Sequence, residues 1–148
     1  MKAHELQALR RLLFLTTSEA ARWLAADAER PRGVEERTWN RWEAGARPVP
    51  DNVAAAALDL VAWRAAQLAR LTADMQASAA RPYPLPWVDD ADDWPTRNRA
   101  HWRAHQSACA AVLALAGPDQ AELAAGAPPP RGIGEMAAIA PGAPTPGA

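Results

Sequence analysis

The stretch Arg37–Pro50, RTWNRWEAGARPVP, reads as a short helix, a glycine stop and a proline-led restart. Residues three and four apart share a helix face, so Trp39 and Trp42 stand together on one side and Arg37, Asn40 and Arg41 on the other. The tryptophan side is built for a core. The opposite side suits a polar, anionic partner, and the pattern is that of a DNA recognition helix. Arg37 can take both acceptors of a guanine edge, and Asn40 can read adenine or a phosphate. Arg41 and Arg47 suit phosphates, with Thr38 and Arg22 placed to join them. Glu43, before Ala44 and Gly45, is expected to hold a neighbouring helix end or an arginine rather than a base. An exposed Arg/Asn/Arg face is more often a solvated surface than a reader of bases, so the order of the flanking elements has to decide.

Working outward, residues 3–14 carry Leu6, Leu9, Leu12 and Leu13 at helical spacing. Thr16 is placed to cap a second helix, and Glu19 three residues on completes a capping box; that helix, 17–26, should bury Ala20, Ala21 and Leu24. The polar run DAERPRG (27–33) marks a turn through Pro31 and Gly33. The third helix is expected over 34–44, with Gly45 in the left-handed position after it and Pro50 as the first residue of the fourth. Val53, Ala57, Leu60, Val61, Arg64, Leu68, Leu71 and Met75 then form one seam to about residue 77. At 1.5 Å per residue this helix is on the order of 40 Å long, more than a four-helix head requires, so the surplus must pack on a second module or a second subunit.

From Arg81 the chain changes character. Pro82, Pro84 and Pro86 alternate with Tyr83, Leu85 and Trp87, which suits an edge strand or a strap over an apolar surface but not a central strand. Aspartates 89, 90, 92 and 93 follow, and Thr96 or Asn98 then starts a last helix to about Ala116, with Trp102, Cys109, Val112, Leu113 and Leu115 as its apolar content and Gly117-Pro118 as its end. The Ala/Pro/Gly-rich remainder, 119–148, has few apolar anchors and is expected to be a disordered tail.

Composition narrows the function. Sixteen Lys and Arg against seventeen Asp and Glu give a net charge of −1, so the whole chain does not advertise nucleic acid. Residues 1–50 hold nine basic side chains (2, 10, 11, 22, 30, 32, 37, 41, 47) against seven acidic ones (5, 19, 27, 29, 35, 36, 43), a modest local excess. A single cysteine, Cys109, excludes an intramolecular disulfide and suits a reducing cytoplasm. No apolar run reaches the roughly 18 residues of a membrane span, and the first residues lack the uninterrupted apolar core of a signal peptide. His101 and His105 have metal-binding spacing, but HWRAH lacks the glutamate of a metalloprotease helix, and Ser18 and Ser107 have no evident base. No enzyme, metal or cofactor is expected, and the histidines beside Trp102 are expected on a helix surface or a dimer contact.

The segments HELQALRRLL, LTTSEAARWL, RTWNRWEAGARPVPDNV and HWRAHQSACAAVLAL together resemble the anti-CRISPR-associated autorepressors and their bacterial relatives of the YdiL type. The resemblance runs over about residues 3–116, and its motifs are E-L-Q-A-L-R, W-x-x-W-E-x-G and W-R-x-x-Q-S. It implies a mainly α protein: an N-terminal, lambda-repressor-like helix-turn-helix bundle (1–76), then a dimerisation element (77–118) containing a short strand and a helix. It further implies a homodimer that binds an inverted repeat in double-stranded DNA and represses its own operon. Arg37 falls on the key base-reading position, with Asn40 and Arg41 as the next ones, and Tyr83, Leu85, Trp87, Trp102 and Val112 fall in the dimerisation part. About seven residues between Leu24 and Val34 exceed the family pattern, which puts the turn geometry in question; Arg30 and Arg32 lie in this insertion, where they are solvated or reach a phosphate.

Two readings stay open beside a repressor. An antitoxin or other interaction module would use the proline strap and the tryptophans as a partner surface. RNA is a further possible ligand, because arginine-rich heads do not separate nucleic-acid helices by charge alone.

Overall fold

The computed structural model describes residues 1–96 and 98–126. Its helices are α1 (Ala3–Leu12), α2 (Thr17–Trp23), α3 (Glu36–Glu43), α4 (Asp51–Ala77) and α5 (Arg99–Ala116), with strands β1 (Tyr83–Trp87) and β2 (Ala121–Ala125) and one 3-10 turn at Ala91–Asp93. The molecule is therefore mainly helical, in an order consistent with a helix-turn-helix head followed by a strand and a helix.

Capping chemistry sets the boundaries. Thr16 and Glu19 form the expected reciprocal box at the start of α2. α1 stops at Leu12 rather than running to 14, because Phe14 turns into the left-handed region at φ 59°. Leu13 is consequently buried and Leu12 is turned out to 40% exposure. α2 also ends early, at Trp23. The carbonyl of Ala21 accepts the N–H of Val34 at 2.9 Å, after the insertion, where a continuing helix would have used residue 25. Gly33 sits so close that an added Cβ would lie 2.2 Å from the Ala21 oxygen, and its φ of +72° excludes other residues as well. The loop thus leaves and re-enters at one point, and α3 begins at Glu36 instead of 34. After α3, Gly45 at φ 71° donates to Trp42 O and Ala46 to Arg41 O, a Schellman stop. Pro50 caps α4 in an extended conformation rather than being its first helical residue.

The head closes on a polar lock within an apolar shell. Trp39 and Trp42 are buried edge to face, with ring centroids 5.8 Å apart. The Glu43 carboxylate accepts from Arg10 Nε at 2.6 Å, Arg10 Nη2 at 3.0 Å and the Trp39 indole at 2.6 Å, while Arg10 Nη1 donates to Leu15 O at 2.9 Å. Burial alone would raise the Glu43 carboxyl, but Arg10, the Trp39 indole and Gln7 outweigh it and hold it below the usual range. Glu43 therefore holds an arginine, as expected, whereas Arg10 is not a free charge of the head.

The long α4 finds its partner within the chain, since α5 lies along it. Trp63 and Gln67 join the α4 seam as buried residues, while Val61, Arg64 and Leu68 flank it half-buried. Residues on both sides of the boundary expected at 76/77 share one core, which runs from Leu6 and Trp39 through Trp63 to Trp94, Trp102 and Ala104. A second cluster joins Leu71, Leu85, Ala108, Cys109, Val112 and Ala121. Leu85, Trp102 and Val112, expected at a dimer contact, are thus used up inside their own chain at 0%, 6% and 1% exposure; Tyr83 and Trp87 remain half-buried. Leu115, expected as core, is 80% exposed.

The W-R-x-x-Q-S segment fastens α5 to the rest. Arg103 donates to Glu19 at 2.8 and 3.0 Å and to Gln106 Oε1 at 3.0 Å; Trp102 Nε1 and Gln106 Nε2 both donate to Val88 O, at 2.7 and 2.9 Å. Ser107 Oγ donates to Leu12 O and accepts from Arg64 Nε at 2.8 Å. One turn of helix so grips α1, α2, α4 and the strap.

The strap is a true strand, and its partner was not expected. β1 pairs in parallel with β2, Tyr83 opposite Ala121 and Trp87 opposite Ala125, so residues 121–125 of the expected tail are a strand instead; residues 127–148 lie outside the described residues. Tyr83 N donates to Gln120 O at 2.8 Å, so by strand alternation residues 83, 85 and 87 face β2 while 84 and 86 face away, toward α5. Both outward residues are prolines. The α5 side chains there are donors: His105 Nε2 lies 2.8 Å from Pro86 O and Cys109 Sγ lies 3.6 Å from it. A strand edge with acceptors and no N–H groups matches a helix that offers only donors.

Burial pushes the His105 pKa down, although the contact of Nε2 with Pro86 O opposes that shift, and Nδ1 is enclosed with no hydrogen-bond partner among the described residues. His101 stacks on Trp63 with centroids 4.4 Å apart, and burial pushes its pKa down to about 4. Neither lies on an open helix surface. Cys109 is buried as expected, its thiol pushed up to about 12.

Arg10→Ala should strip Glu43 of its charge partner and cost about 3 kcal/mol of unfolding free energy, read from a denaturant midpoint at unchanged slope. A midpoint that does not move would show the lock to be dispensable. Stability should also fall with acid in two stages. The unfolded chain binds a proton at His101 below about pH 6.5 while the folded chain resists until about 4, so stability is full above that window and drops on the order of 2 kcal/mol across it. Below pH 4.5 the depressed carboxyls of Glu43 and Glu19 take over the loss. His101→Gln should shrink the first stage in thermal melts recorded from pH 7 to 4, leaving the part that buried His105 contributes.

Candidate nucleic-acid interface

α3 presents the face read from its sequence. With Trp39 and Trp42 fixed in the core, Arg37, Asn40 and Arg41 are all exposed along the outer side. Thr38 is half-buried beside them, and Arg47 is exposed just beyond the Schellman stop. The stop consumes the carbonyl of Arg41, so the last turn is fixed in place while the Arg41 side chain stays exposed. Arg37 Nε lies 2.6 Å from the Glu35 carboxylate, with 75% and 70% of the two side chains exposed. A pair so open to water is worth roughly 0–1 kcal/mol, so an anion of higher charge density can displace it.

α2 and α3 meet as two packed helices with the insertion bulging from their junction. The Thr17 hydroxyl donates to Glu36 on the first turn of α3, coupling the start of one helix to the start of the other. The insertion sorts its own charges. Arg30 is tied to Asp27 at 2.7 Å, and Asp27 also accepts from Arg30 N, Glu29 N and Asn52 Nδ2. Arg30 is thereby occupied within the loop. Arg32 is not: it joins Arg22 and Arg99 in lining an open concavity of about 700 Å³ between α2, the insertion and the start of α5, with Trp23, Pro31 and Asn98 as further walls.

Arg22, expected as a phosphate contact of the head, is therefore part of a second basic surface beside α3. Arg99 had no part in the sequence reading. Its distance along the chain hides the association, and the one available signal is that all three residues are arginines unneeded by any helix core. Among the described residues no group of His, Cys, Asp and Glu is arranged to hold a metal ion, and no helix is long and apolar enough to cross a membrane.

The model of the family described as Aca2/YdiL-like matches residues 1–120. The Aca2 repressor of Pectobacterium phage ZF40 is 34% identical over 114 residues, covering 74% of this chain and 90% of that protein. The protein YdiL of Escherichia coli (strain K12) is 38% identical over 53 residues, 36% of this chain and 40% of that protein.

Proposed function

The chain belongs to the Aca2/YdiL-like family, and from that premise we propose that it is a sequence-specific, DNA-binding transcriptional repressor acting as a homodimer on an inverted repeat. The observation that carries the reading is α3: a helix locked from behind by Trp39, Trp42 and Glu43, with Arg37, Asn40 and Arg41 exposed in front. In this reading α2 and α3 are the helix-turn-helix, α3 enters the major groove, Arg37 takes a guanine edge and Asn40 and Arg41 read beside it. Thr38, Arg47 and Arg22 hold phosphates and set the docking angle. The regulated operon is its own, of the anti-CRISPR type, by analogy with the family.

Of the residues the sequence suggested for the dimer contact, Leu85, Trp102 and Val112 are enclosed within the chain, which leaves Tyr83 and Trp87 as the accessible part of that surface. Among the described residues, Leu115 and Leu123, at 80% and 39% exposure, and the outer edge of β2 are the apolar surface and hydrogen-bonding edge left open at that end, with Tyr83 and Trp87 half-buried in the same element pair. A module that captured a toxin through its tryptophans has less support, since Trp39, Trp42, Trp63, Trp94 and Trp102 are all buried.

In mobility shifts on the chain's own upstream promoter, Arg37→Ala should weaken binding by about 1–3 kcal/mol per subunit and reduce discrimination against scrambled DNA. Unchanged affinity and discrimination would refute the docking of α3. The isolated protein should run at about twice its 15.9 kDa chain mass in light scattering, and Leu115→Asp should return it toward the monomer. A wild-type monomer at micromolar concentration would overturn the dimer.

A further inference from the structure

We propose that the concavity walled by Arg22, Arg32 and Arg99 is a phosphate site for duplex DNA lying outside the base pairs read by α3, so that the insertion and α5 extend the footprint of the head. This inference rests on the repressor reading, which already gives Arg22 a phosphate, and adds Arg32 and Arg99 to that contact.

Three observations support it. First, two of the three charges have no ion pair among the described residues. Arg22 and Arg32 are exposed and have no ion pair among the described residues, while Arg99 gives Nη2 to Asp92 at 2.7 Å. Arg99 Nη1 is enclosed without an acceptor. Three arginines line one concavity with a single carboxylate partner among them, and a phosphodiester oxygen would provide an acceptor for their remaining N–H groups.

Second, the place is right. The bond from Val34 N to Ala21 O and the packing of Gly33 on Arg22 put the concavity wall against the residues leading into α3, two positions before Glu36 and three before Arg37. A strand leaving the groove at that end of α3 passes the concavity.

Third, the insertion separates its two exposed arginines. Asp27 occupies Arg30 within the loop, and Arg32 is left lining the concavity with no ion pair among the described residues. The site is also broad and open to solvent, which suits a continuous backbone better than an enclosed small molecule. Because Arg99 sits on the helix clamped to α2 by Arg103 and to α1 and α4 by Ser107, the contact would be rigidly indexed to α3.

The test is a hydroxyl-radical footprint, with a salt titration, of the full-length protein on its upstream promoter fragment. Wild type, Arg32→Ala and Arg99→Ala are compared; Arg32 lies on an exposed loop, so its loss leaves the core untouched. We expect Arg32→Ala to lose protection of sugars just outside each half-site and keep protection over it. Affinity should fall about tenfold, and the slope of log K against log salt should become shallower by about 1 per dimer contact removed. A wild-type footprint and slope that Arg32→Ala and Arg99→Ala both leave intact would overturn the concavity proposal alone. A wild-type protein that gives no footprint would overturn the repressor reading itself, and with it the DNA strand named as occupant.

Discussion

Everything that gives α3 its posture passes through one buried carboxylate. Glu43 is the last residue of the helix, 6% exposed, and its two oxygens are taken by Arg10 of α1 and the indole of Trp39 one turn earlier. Removing charges from water is costly, and such a pair gains little in net stability over a well-packed apolar one. What it provides is geometry. A two-pronged arginine on a carboxylate tolerates little rotation, so α3 can neither slide nor roll against α1 without breaking bonds that no solvent replaces. The motifs E-L-Q-A-L-R and W-x-x-W-E-x-G are two halves of this lock.

A second constraint ties the far end of the chain to the head. The Arg103 guanidinium reaches Glu19, the same carboxylate that closes the capping box on Thr16. The stacking of Arg103 over the Trp102 ring at 4.2 Å, together with the double use of Val88 O, leaves α5 little freedom. Two copies joined near β2 would therefore hold their α3 helices at a spacing set by packing rather than by a flexible linker. Such a spacing is what a two-fold site demands.

Local chemistry was legible in the sequence and long-range association was not. The Thr16/Glu19 box, the Gly45 stop, the end of α4 near residue 77 and the Asn98 cap each depend on residues within a few positions of one another, and each stands where the sequence put it. The face of α3 was legible for the same reason. β2 was not: AELAA has neither alternation nor β-branched residues, and it forms a strand because the N–H groups of β1 require acceptors on that side. Helix periodicity marked Trp102 and Val112 as apolar but could not say whether the covering surface belonged to the same chain. Arg10 was counted as a surface charge because nothing in its neighbourhood names Glu43, and Arg32 and Arg99 come together only through the fold.

The hydrogen bond between Val34 N and Ala21 O has a consequence for the history of this protein. It pins both mouths of the insertion to a single point on α2, so the number of residues between them does not affect where α3 begins. Closing a longer loop costs only about 0.6 kcal/mol for each doubling of length. The junction is thus a place where the chain can gain or lose segments without retuning its reading head. Specificity in the groove and reach along the backbone become separately evolvable traits, the first carried by α3 and the second by whatever the loop acquires.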